Sequence, residues 1–111
     1  MVKESIKLAN KDVTIAYCYA TEISFKKMTG CNISDFNPND PEHVIYLILA
    51  AVTAFYASVG KTAPVTDNDL IYSCEPEELT AALEKVFALH RIWYKIPDEL
   101  SNQNEDNGKN A

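Results

Sequence analysis

The residues of this 111-residue chain that could do chemistry are two histidines, three cysteines and a scatter of carboxylates. Their spacing argues against most of that chemistry. His43 opens one apolar run and His90 lies inside another, and neither has a Cys, Asp or Glu at ligand spacing on the same helix face. A capping or solvent-facing role is expected for His43, and a hydrogen-bonded core role for His90. Cys18, Cys31 and Cys74 are odd in number, far apart and without CxxC spacing. That pattern argues against a disulfide framework or zinc site and fits a reducing, cytosolic compartment, with the thiols as packing groups. Asp67 and Asp69 look like a metal pair but stand where a helix start calls for carboxylates. Glu75, Glu77, Glu78 and Glu84 read as a solvated helix face. With three glycines in all and no GxGxxG or P-loop, no loop can cradle phosphate. Catalysis needs converging polar groups, so the sequence predicts a non-enzymatic protein with no catalytic residue, metal or cofactor.

Composition narrows the classes further. Hydrophobic content is 47% and charged content 23%, ordinary values for a folded chain. One domain is the natural reading, and a chain of this length can bury roughly two-thirds of its unfolded surface. The net charge of -6 argues against nucleic acid, which needs clustered Lys and Arg. The basic residues Lys3, Lys7, Lys11, Lys26 and Lys27 sit early, so the later two-thirds is the acidic part. "MVKESIKLAN" has no apolar core of a signal peptide.

The elements that must position these residues can be read in order. "SIKLANKDVTIAYCY" alternates as a β-hairpin over 5–18, with Asn10, Lys11 and Asp12 in the turn. "TEISFKKMTG" predicts a helix over about 20–29, with Thr21 as N-cap and Gly30 as a left-handed stop. After an Asn- and Asp-rich loop, Asp40 caps a helix over 41–59 with Pro41 at its first position. Thr66 caps a short helix over 66–74. A closing helix over 76–95 follows, opened by Pro76 and stopped by Pro97. On it Leu79, Ala82, Leu83, Val86, Phe87, His90, Trp93 and Tyr94 form one apolar stripe, with Leu83 and Phe87 at its middle. The polar stretch 97–111 reads as a disordered tail after a single globular domain, 1–96. The fold class is α+β, mostly α: a hairpin followed by four helices.

"HVIYLILAAVTAFYASV" carries no charge. It falls just short of a membrane span, contains Thr53 and Ser58, and starts beside Asp40 and Glu42 rather than basic anchors, so no membrane role is expected. At 100° per residue Val44, Ile45, Ile48, Leu49, Val52, Phe55, Tyr56 and Val59 make a bulky face suited to the core. Ala50, Thr53, Ala54, Ala57 and Ser58, with Tyr46 and Leu47 beside them, make a thin one. That thin side either takes another helix of the same chain or is a docking surface. If it docks a partner, Tyr46, Leu47, Ala50, Ala54 and Ala57 are the residues that would take part.

The order "IKLANKDVTIAY", "FKKMTG", "CNISDF", an apolar small-residue helix, "VTDNDLIYS", then a long closing helix resembles the tail assembly chaperones of long-tailed bacteriophages and prophages. The resemblance spans about 5–95, carried mostly by "FKKMTGCNISDF" and "VTDNDL". It departs at Asn10-Lys11-Asp12, where the family commonly has a Gly-rich turn. The resemblance implies a small, non-enzymatic protein of the host cytoplasm that coats the tape-measure protein, keeps it soluble and recruits tail-tube subunits. A tape-measure protein offers long amphipathic helices, which an apolar surface can accept. Two other classes fit the residues. One is an oligomeric phage connector, structural or adaptor protein that self-associates through its apolar helix. The other is a small acidic regulatory protein binding a basic partner.

Overall fold

A computed structural model describes residues 1–97. Strands β1 (Val2–Leu8) and β2 (Lys11–Tyr17) pair antiparallel, with Val2 opposite Tyr17 and Leu8 opposite Lys11. Only Ala9 and Asn10 form the turn, at φ 53° and 65°. Two consecutive positive φ values match the twist of the flanking strands, which is why two-residue turns of this kind close hairpins. The expectation that Lys11 and Asp12 belong to the turn is therefore corrected. Both start β2, and Asp12 lies opposite Lys7 with their charged ends 3.2 Å apart.

Helix α1 (Tyr19–Thr29) begins at Cys18 rather than at the expected Thr21. Thr21 instead sits in the first turn, fully buried. Its Oγ1 accepts from the Cys18 N–H at 3.2 Å and donates to the Ala16 carbonyl at 2.9 Å. The hydroxyl thus serves two backbone groups where the strand becomes a helix. Gly30 ends α1 in the left-handed region, its N–H 2.7 Å from the Lys26 carbonyl. A short 3₁₀ turn, Ile33–Asp35, leads to α2 (Pro41–Ser58). Asp40 caps α2 as its sequence implies, accepting from the Glu42 N–H at 2.9 Å. The far end closes at Gly60 (φ 69°), with Lys61 N–H donating to the Tyr56 carbonyl and Gly60 N–H to the Ala57 carbonyl. That double bond is the Schellman arrangement. Helix α3 (Asp67–Ser73) opens on a reciprocal box: Asp69 N–H donates to Thr66 Oγ1, and Thr66 N–H to Asp69 Oδ2. Helix α4 (Pro76–Tyr94) closes the described chain. The hairpin-plus-four-helix expectation is what the structure shows. Apart from Pro97, the expected disordered tail lies outside the described residues.

Helix α2 is the centre. It packs on α1, β2, α3 and α4. Leu47, Ile48, Ala50, Ala51, Val52 and Ala54 are all buried. Of the two alternatives for the thin side, packing within the chain holds for Leu47, Ala50 and Ala54, whereas the bulky side is corrected. Of the bulky set only Ile48 and Val52 are fully buried, and Val59 is exposed. The thin side goes deeper because small side chains let neighbouring elements approach closely, and the chain's own elements occupy that space. By length and composition α2 could cross a membrane, but here it is the helix the others are built around. On α4 the buried line is Ala82, Val86 and Leu89. Leu79, Leu83, Phe87, His90 and Trp93 are half-buried against it, so the expected stripe is rotated toward Leu89.

Candidate functional site

The proposed docking face on α2 is mostly inaccessible. Leu47 and Ala50 are 0% exposed and Ala54 3%, all within the core of this chain. Tyr46 is half-buried, and its hydroxyl donates to Asp67 Oδ2 at 3.2 Å. That hydrogen bond, ahead of burial, pushes the phenol above its ordinary range. Ala57 alone of the five is exposed. A partner cannot dock along this face without unpacking the domain.

A different set of side chains encloses space. Between the 3₁₀ turn and the C-terminal half of α4 lies a cavity of about 390 Å³. Leu47 of α2 contributes to its lining, as do Phe87, His90 and Tyr94 of α4. Those three recur at helical spacing, so one face of α4 presents them together. Phe36 and Ile33 close the loop side, and Tyr17 arrives from the end of β2. The rings meet edge to face, as their quadrupoles favour: Phe36 on Phe87 at 5.5 Å and Tyr17 on His90 at 5.2 Å between centroids.

The one carboxylate in this wall is Glu22, from the first turn of α1. Its Oε2 accepts from both the Tyr17 and the Tyr94 hydroxyls, each at 2.7 Å. Burial, then the hydrogen bond to Glu22, raises the Tyr17 phenol well above its ordinary range. For Tyr94 the hydrogen bond to Glu22 comes first, and the phenol is pushed up to about 12. Both therefore remain neutral donors at physiological pH, and Glu22 is held in one orientation across the junction of β2, α1 and α4. On the outer side of Glu22 a second hollow, about 310 Å³, is lined by Tyr19, Ile23, Lys26, Asn32 and Ile33. Tyr19 and Ile23 are 62% and 55% exposed, large apolar side chains one turn apart on α1. Tyr19 stands edge-on to Trp93 of α4 at 5.6 Å. The two hollows share Glu22 and Ile33, so the exposed Tyr19 and Ile23 lie next to the cavity.

The other sequence candidates are dispersed. His43 clamps the loop before α2: its Nδ1 accepts from the Asn37 N–H at 2.9 Å, and its ring meets Phe25 and Phe36. This is a half-buried packing role rather than a solvent-facing one. His90 has no hydrogen bond recorded among the described residues and serves as a cavity wall, not as the hydrogen-bonded core group expected. The three cysteines are free and half-buried. Burial, then the Glu78 carboxylate, pushes the Cys74 thiol up, which makes it a poor nucleophile. Asp67 and Asp69 act on α3's opening and on Tyr46, and no group of three His, Cys, Asp or Glu residues is placed to hold a metal ion among the described residues. Sequence reasoning missed Tyr17, Glu22 and Phe36. The spacing of Phe87, His90 and Tyr94 was visible, but nothing local says that three distant elements meet them. The chain matches no protein-family model, no curated protein and no solved structure.

Proposed function

We propose that this protein is a non-enzymatic tail assembly chaperone of a long-tailed phage or prophage, acting in the host cytoplasm. It holds the tape-measure protein soluble and brings it to tail-tube subunits, without contacting nucleic acid or membrane. The observation that carries the reading is the exposed apolar pair Tyr19 and Ile23, with Tyr19 packed edge-on against Trp93 of α4. An amphipathic helix buries its apolar face in such a surface and leaves its polar face in water. The sequence resemblance supplies the identity of the partner, and the hairpin-plus-helices order agrees with it. The docking surface moves accordingly, from α2 to the α1–α4 corner.

Co-expression tests this. The wild-type chain should keep soluble a long helical tape-measure protein encoded beside it. Tyr19→Asp with Ile23→Asp should leave the domain folded, because both side chains are largely exposed, and should return the partner to the insoluble fraction. A wild-type chain that leaves the tape-measure protein insoluble sinks the reading. A closed ring by light scattering, lost in the double variant, would assign the same surface to self-association and make the protein a connector.

A further inference from the structure

We propose that the aromatic cavity beneath Glu22 is a receptor for an arginine side chain of the partner protein. The identity of that partner rests on the chaperone reading; the chemistry of the cavity does not.

The two tyrosine hydroxyls occupy Glu22 Oε2 and fix the carboxylate plane. Among the described residues no donor is recorded on the other oxygen, and Glu22 forms no ion pair. A carboxylate set into an aromatic wall favours a cation. An apolar occupant would strip water from the charge without replacing it, and an anion would be repelled. Phe36, Phe87 and His90 put three further rings in the same lining, beside Ile33, Ser34 and Leu47. Aromatic faces around a cation, with a carboxylate at one side, are the arrangement that retains guanidinium and ammonium groups. Arginine suits it better than lysine. Its planar head stacks on rings, can place an N–H on the one Glu22 oxygen the tyrosines leave open, and gives up water more readily. The cavity, about 390 Å³, lies within the range of small-ligand sites. It shares Glu22 and Ile33 with the hollow lined by exposed Tyr19 and Ile23, so a helix lying on those two residues can send one side chain toward Glu22 as its anchor.

The test uses the full chain and N-acetyl-arginine amide, followed by NMR of the aromatic and backbone resonances. Saturable shifts at Phe36, Phe87 and His90 are expected, with a Kd on the order of 1 mM or tighter. N-acetyl-leucine amide and N-acetyl-aspartate amide should give none, and N-acetyl-lysine amide weaker ones. Glu22→Gln keeps an oxygen for the two tyrosines and removes the charge, so it should weaken arginine-probe binding by about tenfold or more. If that variant does not fold, Phe87→Leu, which removes a ring and keeps bulk, should weaken it as well. No saturable shift, an equal response to the leucine probe, or unchanged affinity in the folded variant overturns the proposal. An equal response to lysine overturns the choice of arginine. Probe binding without rescue of the tape-measure protein would sink the chaperone reading and leave the cavity assignment standing. Rescue without probe binding would do the reverse.

Discussion

The backbone N–H of Ala9 donates to Glu78 Oε2 at 2.7 Å across 69 positions of sequence. The donor is in the hairpin turn and the acceptor in the first turn of α4, so this bond ties the two ends of the fold. It also links to the Cys74 thiol, which Glu78 helps to push up.

Glu78→Ala should cost about 1–2 kcal/mol, since a half-buried N–H loses a charged acceptor. Glu77 shares the same helix turn but is exposed. Glu77→Ala should lose only the favourable placement of a carboxylate at a helix start, about 0.3–1 kcal/mol. Urea unfolding of the pair separates the two effects. Equal losses would show that the bond to Ala9 contributes nothing.

Ala9 holds φ 53° without being Gly or Asn. A Cβ in the left-handed region costs roughly 1–2 kcal/mol, part of which glycine gives back through a freer unfolded chain. Ala9→Gly should therefore raise stability by about 0.5–1 kcal/mol. A lower urea midpoint would show that the turn does not carry this strain.

Ala54 is 3% exposed and Ala57 is exposed, one turn apart on α2. Ala54→Glu forces an unpaired charge into the core and should unfold the domain or cost at least about 3 kcal/mol. Ala57→Glu should stay within about 0.5 kcal/mol of wild type. Circular dichroism with thermal melts would check both. A stable Ala54→Glu would mean that the α2 face opens after all.

Alkaline pH should weaken the junction of β2, α1 and α4. The Tyr94 phenol is pushed up to about 12 by its hydrogen bond to Glu22, from an ordinary value of 10.0, and Tyr17 is raised in the same direction, mainly by burial. Above pH ~10 the unfolded chain loses these protons first, so it binds fewer than the folded chain and stability falls as pH rises. Below that pH the contribution is fully present. Tyr17→Phe should flatten the decline between pH ~10 and 12, and Tyr94→Phe should do so to a lesser degree because that residue is 41% exposed. An identical alkaline profile in both variants would remove these phenols as the cause.

Much of the local architecture is written in short stretches. Asp40-Pro41, Thr66 with Asp69, Gly30 and Gly60 define helix ends because caps are bonds between near neighbours, and a few residues suffice to specify them. Strand alternation and the apolar periodicity of α4 are equally local, so the element order follows from sequence. The turn starts one residue earlier and ends two residues earlier than its composition implies, because hairpin twist, not turn composition alone, selects Ala9-Asn10 over Asn10-Lys11-Asp12. Which side of α2 faces inward is not local at all. The helix is uncharged throughout, so its periodicity carries little contrast, and the choice fell to the elements that surround it. The cavity is further still from the sequence. Tyr17, Glu22, Phe36, Phe87, His90 and Tyr94 come from β2, α1, the loop after the 3₁₀ turn and α4. Sequence alone determined the acidic balance of this chain and the cap-punctuated order of a hairpin and four helices. Tertiary structure decided that its carboxylate-bearing aromatic cavity exists, because only packing brings side chains 72 positions apart within hydrogen-bonding distance.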